Sequence, residues 1–88
     1  MSVEITVMGE PGEALSFDGT ETLALVAPRA FAPGTPIEMR FRVGESAHTI
    51  RGKARGSRRR DDGRYDVQAR LISLRREQRL ALRRALPG

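Results

Sequence analysis

Cysteine and tryptophan are both absent from this chain of 88 residues. Without thiols there is neither a disulfide nor a thiolate metal site, and the single histidine, His48, builds no metal centre unless several carboxylates converge on it. Long apolar runs are also missing. Nothing approaches the roughly 18 residues of a membrane span, and Met1-Ser2-Val3-Glu4 lacks the basic start and apolar core of a secretory leader. The expectation is a cytoplasmic chain with no membrane insertion. Aromatic residues are few: Phe17, Phe31, Phe41 and Tyr65. Phe41 and Tyr65 fall on predicted core faces, so the interleaving of exposed aromatics with basic residues that stacks nucleotide bases is lacking. Catalytic signatures are equally scarce. His48 has no nucleophile to pair with, Glu38 and Glu45 have no motif spacing, and no glycine-rich helix start is present to cradle a phosphate. Asp61, Asp62 and Asp66 read as surface charges. The chain is therefore expected to be no enzyme, with no catalytic residues, no metal and no cofactor.

Arginine is what the chain does have: fifteen, beside the single Lys53, giving a net charge of +5. The charge is divided along the chain, with residues 1–44 at net −3 and residues 45–88 at net +8. A field of this kind favours anionic partners such as nucleic acid, nucleotide phosphates or an acidic protein face. A length of 88 residues suits one small domain, with no room for a second.

The hydrophobic pattern has a period of two along most of the chain. Residues 3–8 alternate with Val3, Ile5 and Val7 on one face, and Gly9-Glu10-Pro11-Gly12 reads as the break after this strand. Residues 13–17 read as a short second strand, Asp18-Gly19 as a hairpin turn and Thr22–Ala27 as an apolar strand ended by Pro28. The clearest alternation, Pro36–Val43, turns Ile37, Met39, Phe41 and Val43 inward. A strand over 49–56 puts Ile50, Gly52 and Ala54 inward, and such small residues predict a close backbone approach or a bulge. Residues 57–63 read as a charged loop. The strand over 64–72 turns Tyr65, Val67, Ala69 and Leu71 inward. From Ser73 as N-cap, Leu74, Ala81, Leu82, Ala85 and Leu86 share one helical face until Pro87-Gly88 stops the run. The fold class is thus mainly β: strands over about 3–72 form a small antiparallel barrel of five to six strands, with a C-terminal helix over about 74–86.

Two stretches carry a family likeness. Ala14-Leu15-Ser16-Phe17-Asp18-Gly19 is a near match to a D/N-x-S-x-x-G loop, and Ala32-Pro33-Gly34-Thr35-Pro36-Ile37-Glu38-Met39-Arg40-Phe41 resembles a G-x-x-h-x-h-x-h entry into a central strand, h being apolar. Together with the order of strands and the Leu/Arg helix, residues 13–86 resemble a PilZ domain. The resemblance implies a bacterial signalling or motility domain whose loop contacts cyclic di-GMP, with Ser16, Asp18 and Gly19 as the ligand-binding candidates. The chain departs from the family pattern in two places. Ala14 stands where the family has Asp or Asn, and residues 1–13 contain none of the arginines of the upstream R-x-x-x-R clamp. R-x-x-x-R spacings do occur downstream, among them Arg51/Arg55, Arg55/Arg59 and Arg79/Arg83.

The expected function is that of a non-catalytic, PilZ-like adaptor that binds a protein partner, with cyclic di-GMP binding lost or weakened. Arg76, Arg79, Leu80 and Arg83 are its partner-binding candidates. One alternative is a cyclic di-GMP receptor that uses non-standard arginines; the other is a small-barrel nucleic-acid-binding protein. For both, the anion-binding candidates are Arg51, Arg55, Arg58, Arg59 and Arg60, whose planar forks grip phosphate bidentately.

Overall fold

Alternation at period two demands a sheet with one buried face, and in the computed structural model, which describes residues 3–88, that sheet closes on itself. The elements are β1 (Val3–Val7), β2 (Glu10–Phe17), β3 (Thr22–Ala27), β4 (Pro36–Val43), β5 (Ser46–Arg59), β6 (Tyr65–Ile72) and α1 (Arg76–Ala85). Met1 and Ser2 of the leader reading lie outside the described residues. All pairings are antiparallel, in the order β1-β2-β3-β6-β5-β4, and β1 pairs with β4 through Ile5↔Phe41 and Val7↔Met39 to close the barrel. Closure leaves no unpaired sheet edge. The inward residues of every strand form one core, which includes Phe17, Leu23, Leu25, Ile37, Met39 and Val67, and no polar side chain is buried among the described residues.

Three boundaries differ from the sequence expectation, each for a physical reason. The break at Gly9–Gly12 is only the two-residue turn Met8-Gly9, in which both residues have positive φ (52° and 82°), the geometry of a type I′ hairpin. Pro11 and Gly12 lie inside β2. Pro11 is paired with β1 alone, because pairing with β3 begins at Glu13, so its missing N–H costs no ladder bond. A Cβ on Gly12 would stand 2.6 Å from the Val26 carbonyl oxygen, which explains glycine there.

The strand predicted over 49–56 runs instead from Ser46 to Arg59, so Ser57, Arg58 and Arg59 are strand, not loop. A bulge between Ala54 and Gly56 resets the alternation. Ser57 then turns inward, where its hydroxyl accepts from Phe31 N–H (3.0 Å) and donates to Phe31 C=O (3.1 Å). This pair of bonds plants Phe31 as a buried plug over one barrel end. Gly52 fulfils the expected close approach: a Cβ there would lie 2.6 Å from the Arg70 carbonyl oxygen.

Ser73 is not the helix N-cap. It takes φ 52° in a turn, and the cap is Arg75, whose N–H donates to Gln78 Oε1 at 3.1 Å. The helix therefore spans 76–85 instead of 74–86. It lies across the other barrel end, with Leu82 and Leu86 in the core and the Pro87 carbonyl accepting from Phe17 N–H at 2.9 Å.

Candidate functional site

The family-like signature spans the end of β2, with Ala14 to Phe17, and the start of the loop to β3, with Asp18 and Gly19. Ala14, at the position of the family's polar residue, is 1% exposed and belongs to the core. Ser16 is half-buried beside a register shift in β2. Asp18 organises the loop itself: its Oδ1 accepts from the N–H groups of Thr20 (2.9 Å), Glu21 (3.0 Å) and Thr22 (3.0 Å), and from the Thr20 hydroxyl (3.1 Å). Hydrogen bonds from these backbone groups, foremost that of Thr20, hold the Asp18 carboxyl at about 2, well below its ordinary value. Gly19 supplies the positive φ (93°) that the turn needs. The loop thus contains its own anion, which takes up the N–H groups of Thr20, Glu21 and Thr22.

The fold brings two helix arginines to this loop. Arg79 Nε donates to the Thr20 carbonyl at 3.2 Å, and Arg83 Nε lies 3.8 Å from where a Gly19 Cβ would stand. Neither is in an ion pair among the described residues. Arg76 and Leu80 complete the solvent side of α1, with Leu80 39% exposed. All four partner-binding candidates therefore belong to one helix, and two of them also border the signature loop.

The anion-binding candidates divide. Arg51, Arg55, Arg58 and Arg59 are exposed along β5, which β6 separates from the loop-bearing β3 in the barrel order. Arg60 is drawn into a local network instead. It bonds Asp66 at 2.7 Å and approaches Asp62 at 3.5 Å, and these carboxylates, Asp66 foremost, raise its pKa further. Arg64 bonds Asp62 at 3.1 Å, and the Arg64 N–H is the main cause of the lowered Asp62 pKa. The tip beyond β5 is thus charge-balanced, and Arg60 is no free anion ligand.

Sequence reading missed the neighbours of β5. Arg40 and Arg42 on β4 and Arg70 on β6 point outward, and the register sets Lys53 directly opposite Arg70. Alternation already placed each of them on an outer face. Only strand order makes them one surface.

A concavity of about 1050 Å³ runs along β1 and contains none of the predicted site residues; its rim mixes Glu4, Glu13 and Glu38 with Arg40, Arg42 and Arg64. His48 stacks on Phe41, ring centroids 5.0 Å apart and planes at 22°, as a cross-strand pair in register. Among the described residues no group of three or more His, Asp or Glu side chains is placed to hold a metal ion, and no helix is long and apolar enough to cross a membrane.

The fold and these surfaces define a closed six-stranded antiparallel barrel capped by a basic helix. Compared with protein-family models, with curated proteins and with solved structures, the chain matches none of them.

Proposed function

We propose that this chain is a non-catalytic, PilZ-like adaptor of bacterial signalling or motility that works by contact with a protein partner, its cyclic di-GMP binding lost or much weakened. The self-satisfied loop is the observation that carries this reading. Three loop N–H groups bond Asp18, and Ala14, sealed in the core, offers no polar side chain to a guanine edge. A partner would meet the exposed side of α1, where an apolar residue, Leu80, is flanked by arginines; arginine is enriched at interface hot spots. Proximity labelling with the native chain and a Leu80→Asp/Arg83→Glu double variant tests this. A specific partner lost in the variant is expected, and a folded native chain that recovers none would overturn the reading.

A second reading rests on one specific observation. Arg79 and Arg83 have the R-x-x-x-R spacing and border the loop, which supports a cyclic di-GMP receptor whose arginines come from downstream. Calorimetric titration with cyclic di-GMP, with GTP as control, separates the two. Absence of heat from a folded sample fits the adaptor, whereas selective micromolar binding abolished by Arg79→Ala establishes the receptor.

A further inference from the structure

The outer wall of β4, β5 and β6 is a strongly basic surface apart from the loop and helix. Five of its cations, Arg40, Arg42, Lys53, Arg55 and Arg58, have no carboxylate within 4.0 Å among the described residues. Arg51 and Arg70 add to them, each with one half-exposed partner, Glu38 at 3.4 Å and Glu21 at 3.3 Å. At about 3.3 Å per residue, the row from Arg51 to Arg58 is about 20 Å long. Lys53 stands directly opposite Arg70 on the adjacent strand. Like charges in that position cost stability, a cost that the Glu21 carboxylate beside Arg70 offsets in part and that an external anion or salt would reduce further.

From this wall we infer a docking site for the phosphate backbone of double-stranded nucleic acid. A duplex presents one negative charge per about 1.7 Å of its axis, hence about a dozen along the row. Three features favour this occupant over others. An acidic protein face draws most of its affinity from buried apolar or aromatic anchors, and among the described residues the exposed large apolar side chains are Met8, Ile72 and Leu80, of which Ile72 alone belongs to the wall. Single strands are held by stacking on several exposed aromatics, but Phe17, Phe31 and Phe41 are all less than 9% exposed and Tyr65 is half-buried against the core. Base reading requires an element that enters a groove about 12 Å wide. This wall is part of a closed body measuring 32 × 24 × 23 Å, so its contacts are to phosphate and independent of sequence.

The test is fluorescence anisotropy of labelled 20-base-pair DNA and RNA duplexes and of the matching single strands, titrated with the full chain at 50 and 200 mM salt. Five phosphate contacts predict a slope of log K against log salt of about −4 to −5, a loss of two to three decades between these conditions. The duplex is expected to bind more tightly than the single strand and without sequence preference; the DNA and RNA arms identify which duplex is favoured. Lys53→Glu/Arg55→Glu is expected to weaken binding at least tenfold and Lys53→Gln/Arg55→Gln by a smaller factor, while Leu80→Asp/Arg83→Glu on the helix leaves it within twofold. Circular dichroism confirms that each variant is folded. The inference is overturned by absence of duplex binding at 50 mM salt, by wall variants that bind like the native chain, or by polyglutamate competing as well as duplex, which marks an acidic protein face instead. Because the helix variant tests the adaptor reading and the wall variants test this one, the failure of either is separately visible.

Discussion

Three backbone N–H groups and one hydroxyl converge on a single oxygen of Asp18, and the charge they stabilise is the reason its carboxyl titrates at about 2 against 3.8 in an unperturbed chain. The folded state therefore binds this proton more weakly than the unfolded state does. The resulting stabilisation is complete above about pH 5 and is lost as the pH falls from about 4 through 2. Asp18→Ala is accordingly expected to lower the urea midpoint at pH 7, with the gap to the native chain closing by pH 2; a gap that stays constant over that range would mean the carboxylate charge is not what holds the loop. The residues of this loop were named from the sequence, but their roles were not legible there. A three-residue spacing of Ser and Gly says nothing about whether Asp18 points to solvent or back onto its own backbone. Nor does alternation show that Ala14 is a core residue once a register shift interrupts the strand beside it.

At the scale of the element, α1 is a helix of ten residues, shorter than the roughly 12–15 residues at which isolated helices become marginal in water. It persists through packing, chiefly by Leu82 and Leu86, with its C-terminal end tied to β2 through Phe17 and Pro87. Leu82→Ala is expected to cost about 2–4 kcal/mol, measured by chemical denaturation as one cooperative transition. A loss of helix signal ahead of barrel unfolding would show that the cap folds as a separate unit. The apolar face of this helix was readable from the spacing of Leu74, Ala81, Leu82, Ala85 and Leu86, but its start was not. Serine is a good N-cap in general, yet Ser73 must turn the chain out of β6 at positive φ, leaving the cap to Arg75 and Gln78. The same limit applies to β5. Residues 57–59 look like loop because the Ala54–Gly56 bulge changes which parity faces inward, and that bulge is a property of the pairing with β6.

For the whole molecule, the order β1-β2-β3-β6-β5-β4 turns a division of charge along the chain into a division across the barrel. The strands carrying Glu4, Glu10, Glu13 and Glu21 or running into its loop stand together, and those carrying Arg40, Arg51, Lys53, Arg55 and Arg70 stand together on the other side. Such a distribution steers anions to one wall and holds like charges close on it. Lys53→Glu, which places opposite charges across from each other at Arg70, is expected to raise stability by about 0.2–1 kcal/mol at low salt while weakening duplex binding. The gain is expected to shrink as salt screens the pair, and thermal denaturation at 20 and 500 mM salt reads it. If this variant is less stable than the native chain at low salt, repulsion across β5 and β6 is not a significant strain on the fold.

The sequence by itself determined the fold class, because period-two alternation in successive segments leaves a small chain no way to bury its apolar face except a closed or stacked sheet. It also determined which side chains are inward along most strands, together with the apolar face of the helix and the net charge of each half. Tertiary structure alone decided which outward residues are neighbours. That Arg79 and Arg83 meet the β2–β3 loop, and that Arg40, Lys53 and Arg70 share a wall, follows from strand order, register and the path of the chain out of β6. Those depend on contacts between residues far apart in sequence, which no local spacing encodes.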